Sequence, residues 1–240
     1  MNIQVFIISW KDQHENAAFI FKQISALNVS ALIIYSDPNI SYKFSRKINT
    51  IKREDHLLWG DKFKACMEEA ELKNTLIIHA DCTSKNWAKL LVKYNDAINK
   101  IPNLAVYSPQ VKFTSFPVTR TNIIKTSDDS YSIVCFIDCI VFGISADIVK
   151  RMKALDYDKN IYGWGIGWVI ASYALSLNKL LIIDNTIEIN HPKSRAYDSK
   201  IALMQKAIFM KQLSTSEKIF SELIYSHLRL KKMIQNIHTN

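Results

Sequence analysis

Apolar runs of strand length recur along this 240-residue chain, and most are followed by a stretch with helical spacing. Ile3 to Ser9 (IQVFIIS), Ala31 to Tyr35 (ALIIY), Asn74 to Ala80 (NTLIIHA), Leu104 to Ser108 (LAVYS) and Ile133 to Phe142 are such runs. A strand apolar on both faces belongs inside a sheet covered by helices on both sides. Helical spacing follows over His14 to Leu27, Trp59 to Leu72, Asn86 to Asn99, Ser145 to Leu155 and Trp168 to Leu177. Leu180 to Ile183 and Thr186 to Asn190 read as two further strands, and the chain from Ser194 onward as helical. The segment from Ile40 to Asp55 reads as loop with short elements, and Pro109 to Asp129 as excursions or short edge strands. The expectation is an α/β fold: a Rossmann-like, mostly parallel central sheet flanked by helices, with a C-terminal helical extension.

The two longest apolar stretches fall short of the roughly 20 residues a membrane span needs. Ile133 to Ile144 contains Asp138, and Ile166 to Leu177 ends at Asn178 and Lys179. Met1 to Trp10 has no basic region or cleavage site, so no secretory signal is expected. Cys66, Cys82, Cys135 and Cys139 form no CxxC pair and read as reduced, buried thiols of a cytoplasmic protein. The net charge of +9 suits an anionic partner. The charge is scattered, and no helix-turn-helix, zinc or RNA-recognition signature accompanies it, so nucleic acid is not expected.

Glycine is scarce and concentrated. Average usage of about 7% predicts roughly 17 glycines in such a length; there are five, three of them in Gly163-Trp164-Gly165-Ile166-Gly167. That loop either makes a tight structural turn or brings its backbone close to a ligand. Trp164 and Trp168 either line a sugar pocket or belong to the core.

In open α/β sheets ligands sit beyond the carboxyl ends of the strands. The residues there are Ser9-Trp10, Ser36-Asp37 and His79-Ala80-Asp81. Asp81 is placed either to hold a divalent cation against phosphates or to cap the next element. Asp37 is either an acceptor for a base or ribose, or a turn residue. His191, after the last strand, is either a metal ligand or solvated.

Taken in order, these features resemble the nucleotide-sugar glycosyltransferases of the GT-A type, over roughly residues 1–195. Ile3 to Trp10 is similar to the strand under the nucleotide base, and Ile33 to Asp37 to the second strand with its base-contacting Asp. Trp59 to Cys82 is similar to the helix, strand and DXD-type metal motif, with His79 and Asp81 at its two positions. Asp138 to Val149 resembles the elements flanking the donor sugar. Tyr162 to Trp168 resembles the GWG loop of galactosyltransferase-like members, and Ile189 to Pro192 the closing strand with a metal-binding His.

The resemblance implies a metal-dependent transferase moving a sugar from a nucleoside-diphosphate sugar, UDP-linked by preference, to a glycan or lipid-linked acceptor. It places such an enzyme in bacterial surface polysaccharide or lipopolysaccharide synthesis. Asp81 and His191 would hold Mn²⁺ or Mg²⁺, and Ser9, Trp10, Asp37, Lys62, His79, Trp164 and Gly165 would contact the donor. Lys193 and Arg195 also lie near the site in sequence.

One position departs from the pattern. Gly167 stands where these enzymes carry an acid, and no acid follows until Asp184. Asp138 is then the candidate base; retaining chemistry or weak transfer are the alternatives. Two other classes fit the same fold: a non-enzymatic nucleotide-sugar binder, and a nucleotidyltransferase. The latter usually carries a Gly-rich basic loop after the first strand, where this chain has Ser9-Trp10-Lys11-Asp12-Gln13.

Residues 196–240 lie outside the resemblance. Apolar positions from Ile219 to Ile237 alternate with Arg229, Lys231 and Lys232. Such a helix packs on the domain or a partner, or lies on an anionic membrane.

Overall fold

A computed structural model describes residues 1–39, 42–192 and 198–238. Nine strands form one sheet: β1 (Ile3–Ser9), β2 (Ser30–Tyr35), β3 (Thr50–Lys52), β4 (Asn74–His79), β5 (Leu104–Lys112), β6 (Asn122–Lys125), β7 (Tyr131–Val134), β8 (Val141–Ile144) and β9 (Leu180–Asn190). Their order is β3-β2-β1-β4-β8-β5-β9-β7-β6. Following the pairings from β1, only β8 and β7 run against the rest, so seven of the nine strands share one direction. The carboxyl ends of β1, β2 and β4 therefore open on one edge of the sheet.

Helices cover both faces, as fully apolar strands require. Helices α1 (His14–Ser25) and α3 (Trp87–Lys100) bury Ile20, Ile24, Trp87 and Leu91 against one face. Helices α2 (Trp59–Glu69), α5 (Ala146–Lys153) and α6 (Ile166–Ser176) bury Phe63, Ile148, Met152 and Val169 against the other. A single turn, α4 (Val118–Thr121), precedes β6.

The C-terminal helices α7 (Ser199–Phe209) and α8 (Thr215–His238) close over the second face. Phe209, Leu213, Ile224 and Leu228 join that core. Glu217 is buried and accepts both ends of the Arg151 guanidinium, at 2.7 and 3.0 Å. It also accepts from the Ser214 amide at 2.5 Å, while its own amide donates to Ser214 Oγ at 3.3 Å. This reciprocal pair is a capping box, so one carboxylate both starts α8 and anchors it to α5. Among the described residues no helix is long and apolar enough to cross a membrane.

Three expectations need correction. The apolar run from Ile133 to Phe142 is not one strand. It splits into β7 and β8, and residues 135–140 cross β9 and β5 to reach the far end of β4. Phe136 and Ile137 are buried without being paired, so the apolar run signalled burial and not extended pairing. Leu180 to Asn190 is conversely a single strand. Its interruption is an irregularity in the pairing with β5, where Pro109 faces Asp184 but Gln110 faces Glu188. Buried Asp184 holds this kink, accepting from Tyr107 Oη at 2.9 Å and from the Thr186 amide and hydroxyl at 2.8 and 2.6 Å. The third concerns β5, which runs on through Pro109 to Lys112, beyond its expected end at Ser108. Of the four thiols, Cys66, Cys82 and Cys135 are buried and Cys139 is half-buried.

Candidate functional site

Asp81 and His191 come together although 110 positions separate them. The cause is a short backbone pairing beyond the sheet. Thr83 and Asn190 exchange amide–carbonyl hydrogen bonds at 2.9 and 3.0 Å. That clamp sets the residue after β9 over the turn after β4. His191 Nε2 lies 3.5 Å from Asp81 Oδ2. The turn itself is held from α1, where the Asn16 amide donates to the carbonyls of Ala80 and Cys82 at 2.5 and 2.8 Å. Asn16 escapes sequence reading because its partners are some 65 residues away and a polar helix position carries no local signal.

The pair polarises itself. Burial pulls the His191 imidazolium down, but the Asp81 carboxylate and then the Asp138 charge outweigh it and raise its pKa. Burial pushes Asp81 up, and contact with His191, the charges of His79 and His191 and the Cys82 thiol bring it below the ordinary carboxylate value. Two ligand atoms on one cation at about 2.1 Å would stand roughly 3.0–3.5 Å apart. The observed separation meets that requirement. Among the described residues no third His, Cys, Asp or Glu converges to complete a protein-only cage. The set therefore suits a cation that takes its other ligands from phosphate and water.

His79 is buried beside this pair, between the rings of Trp10 (5.8 Å between centroids) and Trp59 (5.5 Å). Its Nε2 has no hydrogen-bond partner among the described residues. Burial lowers its pKa to about 4, and Asp81 only partly offsets this. The imidazole is thus neutral at physiological pH.

Asp138 lies in the crossing segment and is half-buried. Its Oδ2 accepts from Thr114 Oγ1 at 2.7 Å and the Ser115 amide at 3.3 Å. Two residues on, the Ile140 carbonyl accepts from the His79 amide at 3.1 Å, which fixes the segment at the carboxyl end of β4. The same segment presses on Gly167. A Cβ there would meet Cys139 Sγ at 3.0 Å, Phe136 Cζ at 3.3 Å and the Ile137 carbonyl at 3.5 Å. A side chain at position 167 would press on the segment that carries Asp138, with Cys139 and Phe136 having to give by a few tenths of an ångström.

The glycine loop is a packing device at its other two glycines. At Gly163 (φ +75°) a Cβ would overlap the Trp59 ring, so the indole packs directly on the backbone there. Gly165 (φ +99°) starts α6 beneath Lys206 and Phe209 of α7. Trp168 is core: it stacks on Tyr225 (3.9 Å, 15°) and packs against Phe136 (4.7 Å). Trp164 is half-buried, and its carbonyl accepts from the Asn160 amide at 3.0 Å.

The remaining candidates do structural work in this geometry. Ser9 Oγ bonds His14 Nδ1 at 2.9 Å, and His14 is ringed by Tyr35, Tyr42 and Phe44. The Asp37 carboxylate accepts from the amides of Asn39 and Tyr42 at 3.1 and 3.0 Å, organising its own turn. Lys62 is buried, its pKa lowered to about 8 by that burial, and donates to the carbonyls of Leu57 and Leu58 at 2.8 and 3.5 Å. Lys193 and Arg195 fall outside the described residues.

No family model and no curated protein sequence matches this chain. Solved structures do. A mannosyltransferase from Pyrobaculum calidifontis, in complex with GDP-Man and Mn²⁺, is similar at a TM-score of 0.60 and 10% identity, over 95% of this chain and 69% of that one. GalNAc-T7 with UDP, GalNAc and Mn²⁺ matches at 0.60 and 12%, over 91% of this chain and 49% of that one. The fold is GT-A-like. A putative glucose-1-phosphate thymidylyltransferase from Bacillus anthracis matches at 0.53 and 10% identity, over 90% of this chain and 99% of that one, so nucleotidyltransferases share the architecture.

Proposed function

We propose that this chain is a metal-dependent glycosyltransferase that uses a nucleoside-diphosphate sugar, with UDP the preferred nucleotide, and a glycan or lipid-linked acceptor. The observation that carries the reading is the Asp81–His191 pair, clamped by the Thr83–Asn190 pairing beyond the carboxyl end of β4. In this reading the two side chains hold Mn²⁺ or Mg²⁺, which when bound neutralises charge on the departing diphosphate. Neutral His79 and the faces of Trp10 and Trp59 wall the donor side. Ser9 and Asp37 shape the nucleotide end by fixing the His14 cluster and the turn after β2. Lys62 holds the entry to α2, and the Trp164–Gly165 backbone borders the sugar.

Asp138 is the group we assign to the acceptor proton. Thr114 and Ser115 orient its carboxylate from one side, and it lies close enough to His191 to raise that residue's pKa. The close packing of Cys139 and Phe136 on Gly167 supports this placement, because it sets the segment bearing Asp138 directly beside position 167. Asp138→Asn is expected to lower kcat by 10²–10⁴-fold with donor affinity retained.

Calorimetry with UDP-, GDP-, CMP- and dTDP-sugars, with and without Mn²⁺, tests the reading. One donor is expected to bind more tightly with metal than without it, and Asp81→Asn to abolish that metal-dependent gain. The turn after β1 has no glycine to cradle a triphosphate; it closes through Gln13 and Trp10, with Asp12 at φ +69°. Consumption of a nucleoside triphosphate with a sugar phosphate, in place of sugar transfer, would overturn the assignment.

A further inference from the structure

Helix α8 has two apolar faces, and the domain covers one of them. Ile224 and Leu228 are buried with Glu217 and Ser221. Ile219, Leu223, Leu230, Met233, Ile234 and Ile237 are exposed, from 41% for Ile234 to 73% for Ile237. At 3.6 residues per turn these six fall within an arc of about 100°, opposite the buried side, and span about 27 Å. Beyond Leu228 no described side chain of the helix is buried, so its last turns project past the domain with their apolar stripe uncovered.

In the projecting turns beyond Leu228 the charge beside the stripe has one sign. Arg229 and Lys231 flank it roughly a quarter-turn to either side, Lys232 lies behind, and no acidic residue follows Glu222. A second copy of this chain would bring these cations against their own kind, with no carboxylate in the projecting turns to meet them. The helix is too polar to cross a bilayer. An exposed apolar stripe with cations at its borders fits a surface that offers acyl chains below and anionic phosphates above.

We propose that the projecting half of α8 docks this protein on an anionic lipid bilayer, lying in the headgroup plane with Leu230, Met233, Ile234 and Ile237 inserted. The inference is independent of the transfer reaction, since none of these residues belongs to the site around Asp81.

Flotation of the full chain with phosphatidylcholine vesicles, with and without about a third phosphatidylglycerol, tests it. Binding is expected only to the anionic vesicles and should weaken in high salt. Arg229→Ala/Lys231→Ala/Lys232→Ala should lower partitioning on the order of a hundredfold, from roughly fivefold per cation. Leu230→Ser/Ile234→Ser/Ile237→Ser should abolish it. All six positions lie beyond Leu228, the last buried residue of the helix, and only Lys231 is half-buried, so both variants should keep the parent's thermal midpoint. Equal binding to neutral and anionic vesicles, or parent-like binding by either variant, would overturn the proposal. So would a parent that ignores vesicles but forms a dimer that the serine variant loses, which would assign the stripe to a second copy.

Discussion

Acidification should destabilise this protein through His79 over a range in which most carboxylates stay ionised. The imidazole is buried between Trp10 and Trp59, and burial lowers its pKa to about 4. In the unfolded chain the same group titrates near 6.5. Below pH 6.5 the unfolded state therefore binds a proton that the native state refuses, and stability falls with pH until the native pKa is reached. At about 1.4 kcal/mol per pH unit, the loss is about 2 kcal/mol at pH 5 and about 3 kcal/mol by pH 4. Other groups contribute in the same range, so the measurement is a difference. His79→Phe keeps an aromatic ring between the two indoles and cannot titrate. Urea unfolding of parent and variant from pH 7.5 to 4 should give curves that diverge below pH 6.5, with the variant gaining on the parent by those amounts. Curves that stay parallel over that range would refute the claim that burial holds His79 neutral.

Other changes separate positioning from packing. Asn16→Ala frees the carbonyls of Ala80 and Cys82 and should weaken Mn²⁺-dependent nucleotide binding about tenfold or more, with metal-free binding unchanged, by calorimetry. Gly167→Asp drives a Cβ against Cys139 and Phe136; a stability loss of about 1–3 kcal/mol in urea unfolding and no gain in transfer rate are expected. Glu217→Ala leaves Arg151 half-buried without its partner and removes the α8 cap, and should cost about 3–5 kcal/mol in the same assay.

Much of the fold was legible because parallel strands advertise themselves. β1, β2 and β4 are buried on both faces, so their sequences are apolar without alternation, and their ends fall within a residue of the expected limits. The failures share one cause. An apolar run reports burial, and burial does not require pairing. Phe136 and Ile137 are apolar because they pack on Trp168 and its neighbours while the chain crosses from β7 to β8. The interruption at Asp184 misled in the opposite sense, since a buried carboxylate bonded to Tyr107 and Thr186 looks from sequence like a turn.

The site was legible as a list of strand ends, and not as a set of contacts. Asp81 and His191 each follow a strand, which sequence can say. That they meet depends on Thr83 pairing with Asn190, and neither residue carries a signal for it. The glycine loop shows the limit most sharply. Its three glycines left open a tight structural turn or a backbone drawn close to a ligand, and the structure packs each of them against the protein itself. Gly163 admits the Trp59 ring, Gly165 lies under α7, and Gly167 admits the segment carrying Asp138. A Cβ at 167 would meet Cys139 Sγ at 3.0 Å and Phe136 Cζ at 3.3 Å, so any side chain there makes those two give by a few tenths of an ångström in the segment that brings Asp138 to the end of β4.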